Sequence, residues 1–208
     1  MQANGSAPRP TPLRPADVRN LPGPRRVDAV RKALRAGEID PTAVARDLDD
    51  WIALYRRDVQ GPLRVLLIEA LEPIDDPRVT DLLEDALDDR ADGVRLEALR
   101  LLLDRDPERT RELTTAHVED EGLEVRLLAA ERLHAIDPER AVQAMLDTVR
   151  REAHGFREAH ALDRVVEFLV DDVGDPAVVP ALRELHGEVE DTEDMIEWAI
   201  ETLQDTSR

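Results

Sequence analysis

Four arginines at equal intervals are the most regular polar feature of this 208-residue sequence. They lie 31 residues apart, and each follows an apolar residue: Arg64, Arg95, Arg126 and Arg157. A row of guanidinium groups could bind an anionic ligand, but a guanidinium group also holds a loop in place by donating several hydrogen bonds at once. We expect the second role, in which each arginine braces its own repeat through loop carbonyl oxygens or through an acid such as Asp92 or Glu124.

One histidine interrupts the apolar pattern that follows these arginines. The positions that correspond to His160 in the other repeats are Leu67, Ala98 and Ala129. A histidine on an apolar stripe can bind a metal or carry a proton, although a buried histidine is more often hydrogen-bonded to a backbone group. His154 and Glu158, four residues apart, are too few ligands for a metal site. We predict no metal and no cofactor, and we keep His160 as a candidate binding residue.

The residue inventory excludes the common nucleophilic mechanisms. The chain has no cysteine, which removes thiolate catalysis, thiolate metal sites and disulfides. Serine occurs only at Ser6 and Ser207, and neither a glycine-rich phosphate loop nor a serine elbow motif is present. The acidic clusters lack the glycine-punctuated spacing of a calcium-binding loop. We predict a protein without catalytic activity.

The charge of the chain is large and unevenly distributed. The net charge is −19; residues 1–36 hold eight basic and two acidic residues, a net charge of +6, so the remainder carries −25. An acidic body of this size repels nucleic acid and anionic lipid and attracts basic proteins. We expect a basic protein or peptide as partner, and neither nucleic acid nor a membrane. No apolar run approaches the ~20 residues of a membrane span, and we expect a cytoplasmic protein.

The elements that must position these residues are helices. Apolar side chains recur four and eight residues after the residue that precedes Arg64, Arg95 and Arg126, which places them on one helical face. In the last repeat the pattern is lost, because His160 and Arg164 occupy these positions. Asp-Pro pairs recur with proline at 41, 77, 107, 138 and 176. Aspartate accepts hydrogen bonds from the first free N–H groups of a helix, and proline at the first helical position needs no donor. Each Asp-Pro pair is therefore predicted to begin a helix, and each arginine to lie in the first turn of the next helix.

A pair of antiparallel helices in about 31 residues cannot bury its apolar face alone, whereas stacked pairs can. We therefore predict an all-α fold, an α-solenoid of antiparallel helix pairs over residues 25–205, without strands. A flexible basic tail is predicted over residues 1–24. The predicted repeats lie at about 25–60, 61–92, 93–123, 124–154 and 155–205.

The phrases "DPRVTDLLEDALDDRADGVRLEALRLLL" and "DPERAVQAMLDTV" resemble HEAT-like repeats, in the short form found in phycobilisome-lyase-type proteins. The resemblance covers about residues 40–205 and implies an armadillo-like scaffold that binds other proteins. It also implies an alternative, a HEAT-type lyase, although five aromatic residues are few for a tetrapyrrole pocket. The groove of such a solenoid would present exposed positions of the second helices. The candidate binding residues at these positions are Glu69, Arg100, Glu131 and Arg132.

A second resemblance covers "RVDAVRKALRAGEIDPTAVARDL", from Arg26 to Leu48. The segment resembles the sigma-binding helical region of flagellar anti-sigma factors: a valine-rich helix, a glycine-terminated turn and a second helix. The resemblance implies an alternative function, a regulator that binds its partner through the basic N-terminal helical segment. The same segment also fits the opening hairpin of the solenoid. The sequence leaves both alternatives and the oligomeric state open.

Overall fold

The computed structural model describes residues 13–58, 60–153, 159–186 and 193–205. Within these ranges every regular element is helical and no strand is present, which confirms the all-α class. No helix in the described ranges combines the length and the apolar character that a membrane span needs. The α-helices are α1 (Pro15–Arg19), α2 (Gly23–Ala36), α3 (Pro41–Arg46), α4 (Leu48–Arg57), α5 (Gly61–Leu71), α6 (Pro77–Ala86), α7 (Asp92–Arg105), α8 (Thr110–His117), α9 (Leu123–His134), α10 (Pro138–Ala153), α11 (Ala159–Glu167), α12 (Val179–Leu185) and α13 (Glu193–Asp205).

The chain divides into two compact units, Met1–Leu102 and Leu103–Arg208, which we call unit 1 and unit 2. In unit 1, α5 packs against α2, α3 and α4, and α1 packs against α4 and α2. In unit 2, α9 packs against α8 and α10, and α10 also contacts α11 and α12. The helices that carry the periodic arginines are apolar on several sides, as helices surrounded by others must be. In α5 the buried residues are Leu63, Arg64, Leu66, Leu67, Ile68, Ala70 and Leu71.

The Asp-Pro pairs begin helices, as predicted. Pro41, Pro77 and Pro138 are the first residues of α3, α6 and α10. The other two prolines open short 3₁₀ turns, Pro107–Arg109 and Pro176–Val178, which run directly into α8 and α12. At three of these starts the aspartate side chain accepts a hydrogen bond from the N–H two residues later. The pairs are Asp40 with Thr42 at 3.0 Å, Asp76 with Arg78 at 2.9 Å and Asp175 with Ala177 at 2.8 Å.

Helical structure begins earlier than the sequence predicts. Within the predicted tail, the structure has the short helix α1, and Val18 on it is 0% exposed. The Arg26 side chain secures this segment by donating to the carbonyl oxygens of Leu21 at 2.9 Å and Arg19 at 3.2 Å. Composition does not predict these contacts, because the proline-rich composition of the segment is typical of unstructured chain. The following helix, α2, ends at Gly37 in the left-handed region with φ 64°, as its glycine predicts.

The last helix, α13, buries one face and exposes the other. Ile196, Ala199 and Leu203 are fully or almost fully buried. Trp198 lies on the opposite face and is 48% exposed. The buried set forms the apolar face of an amphipathic helix, and the indole ring of Trp198 lies outside that face.

Candidate functional site

Three of the four evenly spaced arginines lie in the described residues, and they make the same contact. Each donates from Nη1 to the carbonyl oxygen six residues earlier: Arg64 to Asp58 at 2.9 Å, Arg95 to Asp89 at 2.7 Å and Arg126 to Asp120 at 2.8 Å. All three arginines are buried, and Arg126 is only 1% exposed. This is the contact that a bracing role requires, because the guanidinium group ties the start of its helix to the preceding loop.

The aspartates that receive these arginines form a second periodic series. They are also 31 residues apart, and each accepts at Oδ1 from the backbone N–H two residues later. The pairs are Asp58 with Gln60 at 2.9 Å, Asp89 with Ala91 at 2.8 Å and Asp120 with Gly122 at 2.6 Å. Such a carboxylate closes the loop while the carbonyl oxygen of the same residue receives the arginine. The series is visible in the sequence six residues before Arg64, Arg95 and Arg126, whereas Arg151 stands six residues before Arg157. Our sequence-based prediction does not include the series.

Two of these aspartates also bind an arginine from another helix. Arg64 Nη2 lies 2.7 Å from Asp89 Oδ1, and Arg26 Nη1 lies 2.7 Å from Asp58 Oδ2. Tyr55 adds a hydroxyl group beside Asp89. Burial, followed by the charge of Asp89, raises the pKa of Tyr55 from 10.0 to about 12. The corner between α4 and α5 is therefore a network of polar groups with little exposure that hydrogen-bond to one another, although Arg64 Nε within it is buried without a hydrogen-bond partner among the described residues.

The acids that the sequence suggested as bracing partners do not have that role. Asp92 Oδ1 accepts from the N–H of Gly93 at 2.8 Å, and Glu124 pairs with Arg164. The prediction of Asp92 or Glu124 as the bracing acid is wrong, and in unit 1 that acid is Asp89. The reason is geometric. Asp89 lies in the loop before α7, where its carboxylate binds Arg64 and its carbonyl oxygen accepts a hydrogen bond from Arg95.

The side chains of two residues predicted from the sequence lie outside the described part of the chain. Arg157 lies outside the described residues. His160 belongs to α11, but its side chain is outside the described set. The roles assigned to both residues from the sequence therefore remain predictions.

Glu69 and Arg100, two of the predicted binding residues, belong to one charged cluster in unit 1. Arg100 binds Glu97 through two contacts, Nη2 to Oε1 at 2.6 Å and Nε to Oε2 at 3.1 Å, and reaches Glu72 Oε1 at 3.4 Å. Glu69 is half-buried beside this cluster. Burial raises the pKa of Glu69, Glu97 raises it further, and Arg100 opposes the shift. Because Arg100 already has carboxylate partners, a ligand would have to compete with them.

Glu131 and Arg132 are both exposed on α9 in unit 2. Arg132 Nη2 lies 3.4 Å from Asp104 Oδ1, and both side chains are about half exposed. Partial burial raises the pKa of Glu131, and the positive charge of Arg164 opposes the shift. Exposed pairs of this kind contribute ~0–1 kcal/mol each, so Arg132 can exchange Asp104 for a ligand at low cost.

Two adjacent grooves lie along α10 in unit 2, and they are lined by none of the binding residues predicted from the sequence whose side chains the structure describes. The first groove, with a volume of ≈ 560 Å³, contains four carboxylates and two guanidinium groups. These residues are Glu119, Asp137, Glu139 and Asp147, with Arg140 and Arg151. The second groove, with a volume of ≈ 400 Å³, is mainly apolar and has acids at its edge. Apolar and acidic residues that line it include Val142, Leu146, Val173 and Val178, with Glu139 and Asp175.

Glu139 and Gln143 line both grooves, so the exposed ridge of α10 separates an acidic depression from an apolar one. Asp147 on the same ridge accepts from Gln143 Nε2 at 3.0 Å and from Arg150 Nη1 at 2.7 Å. His134 also lines the apolar groove, and its ring forms a T-shaped pair with the ring of Phe168 at a centroid distance of 6.0 Å. An extended or helical segment that carries both apolar and cationic side chains fits such a surface.

Among the described residues, no group of three or more histidines, aspartates or glutamates is arranged to hold a metal ion. No protein-family model matches the sequence, and no curated protein matches it. What the chain can bind follows from the geometry and charge of these surfaces.

Proposed function

We propose that this protein is a non-enzymatic interaction scaffold of the HEAT-like solenoid type, which binds a basic protein or peptide. The observation that carries the proposal is the pair of grooves that share Glu139 and Gln143 on α10. Their apolar groove offers an anchor site, and their acidic groove offers a counter-charge for the same ligand. Anchor pockets surrounded by polar rims are where protein interfaces concentrate their binding energy.

The charge of the chain supports a basic ligand. Residues after position 36 carry a net charge of −25. A field of this sign accelerates encounter with cationic partners and disfavours anionic ones. The periodic arginines Arg64, Arg95 and Arg126 do not reduce the negative charge of the surface, because they are buried.

A second candidate is supported by the outer face of α2. Arg25, Arg31, Lys32 and Arg35 are exposed there, with Asp28 as the acidic residue of the same helix. This basic face could bind an acidic partner, as the regulator alternative requires. Val30 and Ala33 on the inner face of α2 are buried, so removing the helix would disrupt unit 1. Charge reversal of the exposed cations is therefore the suitable variant.

Site-specific photocrosslinking in the native cell tests the main proposal. A benzophenone amino acid replaces Gln143 on the ridge of α10, and in a matched protein it replaces Asp81, an exposed residue of α6 in unit 1. We expect a basic protein to crosslink from position 143 and not from position 81. A third position, Arg35, reports on the regulator alternative.

The crosslink from position 143 should disappear in the double variant Glu139→Lys, Asp147→Lys. It should persist in the control variant Asp81→Lys, Asp88→Lys, which changes the net charge equally at exposed residues of unit 1. Equal adducts from positions 143 and 81, or an acidic protein as the specific adduct, would contradict the proposal. A specific adduct from position 35 alone, with a protein other than a second copy of this chain, would favour the regulator.

A further inference from the structure

Two exposed surfaces of opposite charge remain outside the proposed binding site. The first surrounds Trp198 on α13, which is 48% exposed. Asp194 and Glu201 lie four residues before and three residues after it, and both are exposed. Residues at these spacings share one helical face. The result is a tryptophan with an acidic residue on each side, which we call the Trp198 stripe.

An exposed tryptophan of this kind is unusual in the described part of the chain. The other tryptophan, Trp51, is 1% exposed. Large aromatic side chains contribute strongly to binding when they become buried, and tryptophan is among the residues most enriched at interface hot spots. Its acidic neighbours indicate that the complementary surface is apolar at the centre and basic around it.

Unit 1 contains a groove with those properties, between α2 and α5. Its volume is ≈ 470 Å³, and apolar side chains from both helices line it: Leu34, Pro62, Val65 and Leu66. Arg31 and Arg35, one helical turn apart on α2, are exposed at its edge. Glu69 is the single acid among the lining residues and is half-buried. We call this groove the α2–α5 groove.

We infer that the Trp198 stripe of one copy of this chain docks into the α2–α5 groove of a second copy. The indole ring would occupy the apolar groove, and the exposed guanidinium groups of Arg31 and Arg35 would face Asp194 and Glu201. A guanidinium group can also stack on an indole ring, which adds a cation–π contribution.

The charge distribution argues for a second copy as the occupant. Residues 37–208 carry a net charge of −25 and repel an acidic stripe, whereas residues 1–36 carry +6. The chain therefore provides both the stripe and the basic surface that complements it. Arg31 is exposed, and its ion pair with Asp28 Oδ1 on the same helix is long, at 3.8 Å, so its guanidinium group can reorient toward a ligand.

The geometry of this contact is head-to-tail, because the two surfaces are different parts of the chain. Such contacts form rings or open assemblies rather than a two-fold dimer. We expect a single helix face in a single groove to form a small interface, and interfaces below ~1,200 Å² are typical of weak, reversible association. Association should therefore depend on protein concentration and weaken as salt is added.

Analytical ultracentrifugation of the full chain, from about 1 µM to 1 mM, tests the inference. We expect the wild-type protein to associate with increasing concentration. The stripe variant Trp198→Ala and the groove variant Arg31→Glu, Arg35→Glu should each remain monomeric. The matched control Arg25→Glu, Lys32→Glu changes other exposed cations of α2 by the same charge and should associate as the wild type does.

Mixing the two monomeric variants provides the sharper test. The groove variant retains an intact stripe, and the stripe variant retains an intact groove. An equal mixture should therefore form a one-to-one complex that does not grow further. Acrylamide quenching of tryptophan fluorescence gives an independent readout, because exposed Trp198 accounts for most of the quenchable signal and should be protected on association.

Three outcomes would overturn the inference: a wild-type protein that stays monomeric throughout the range, a groove variant that still associates, or a mixture that forms no complex. Far-UV circular dichroism verifies that each variant is folded. Crosslinking from Gln143 is a separate measurement on other residues, so failure of either proposal leaves the other standing.

Discussion

Arg64 and Asp89 form a buried ion pair in which Nη2 and Oδ1 are 2.7 Å apart. Each residue also has a second partner. Arg64 donates to the carbonyl oxygen of Asp58, and Asp89 accepts from the N–H of Ala91. The pair therefore connects two loops that lie 31 residues apart in the sequence. Because both side chains have little exposure, the pair depends on this network of hydrogen bonds to offset the cost of burying two charges.

Removing the carboxylate should destabilise unit 1. We expect Asp89→Ala to lower the free energy of unfolding by about 3 kcal/mol, since it leaves a buried guanidinium group without its counter-ion. Its exposed neighbour provides the control, and Asp88→Ala should stay within about 0.5 kcal/mol of the wild type. Urea unfolding monitored by circular dichroism measures both. Equal stabilities of the two variants would show that the pair contributes nothing.

The arginine of unit 2 should not be replaceable by lysine. Arg126 donates from Nη1 to two carbonyl oxygens, those of Asp120 at 2.8 Å and Glu121 at 3.0 Å. Lysine retains the charge but cannot reproduce the planar fork. We expect Arg126→Lys to cost about 2 kcal/mol through buried acceptors that lose their donor. Arg132→Lys, at an exposed position of the same helix, is the matched control, and a similar loss in both variants would contradict the bracing role.

Sequence patterns predicted the features that depend on local geometry. The helix starts at Asp40 and Asp76 follow from the capping preferences of two adjacent residues. The burial of Leu63 and Leu67 follows from helical spacing. The position of Arg64, Arg95 and Arg126 in the first turn of a helix follows from the apolar residues that recur at helical spacing just after each of them. All of these relationships lie within a few residues, where amino-acid type and backbone conformation are directly coupled.

Features that depend on distant contacts were missed for a physical reason. The Arg26 side chain reaches Asp58, 32 residues away, and secures a helix in a segment whose composition indicates a tail. The exposure of Trp198 depends on what packs against α13, which no periodicity reveals. The grooves on either side of α10 arise from the spacing between helices, and sequence position alone does not determine that spacing.

Two glycines should respond in opposite ways to alanine. Gly37 has φ 64° and no atom within 4 Å of an added Cβ, so Gly37→Ala changes only the backbone preference. We expect a loss of roughly 1 kcal/mol. Gly93 lies in α7, where an added Cβ would meet Val65 Cγ2 at 3.7 Å, an ordinary contact. Gly93→Ala should therefore stabilise the protein by about 0.5 kcal/mol. Thermal unfolding of both variants checks the signs, and a stabilising Gly37→Ala would disprove the left-handed turn.

Tyr55 offers a titration that reports on the corner between α4 and α5. It is the single tyrosine of the chain, so tyrosinate absorbance reads it alone. Burial and the negative charge of Asp89 raise its pKa from 10.0 to about 12. Below pH 10 the folded and unfolded chains both keep the phenolic proton, so this group adds no pH dependence. Between about pH 10 and 12 the unfolded chain loses the proton first, and stability falls as pH rises.

We expect little tyrosinate absorbance at pH 11 in the folded protein, and nearly complete ionisation at that pH in urea. Asp89→Asn should move the titration of the folded protein toward lower pH, because it removes the charge that opposes ionisation. Asp85 raises the pKa of Tyr55 less than Asp89 does, so Asp85→Asn should lower that pKa by a smaller amount. Circular dichroism at each pH separates ionisation from alkaline unfolding. A folded protein that titrates near pH 10 would show that the phenol faces water rather than the Asp89 carboxylate.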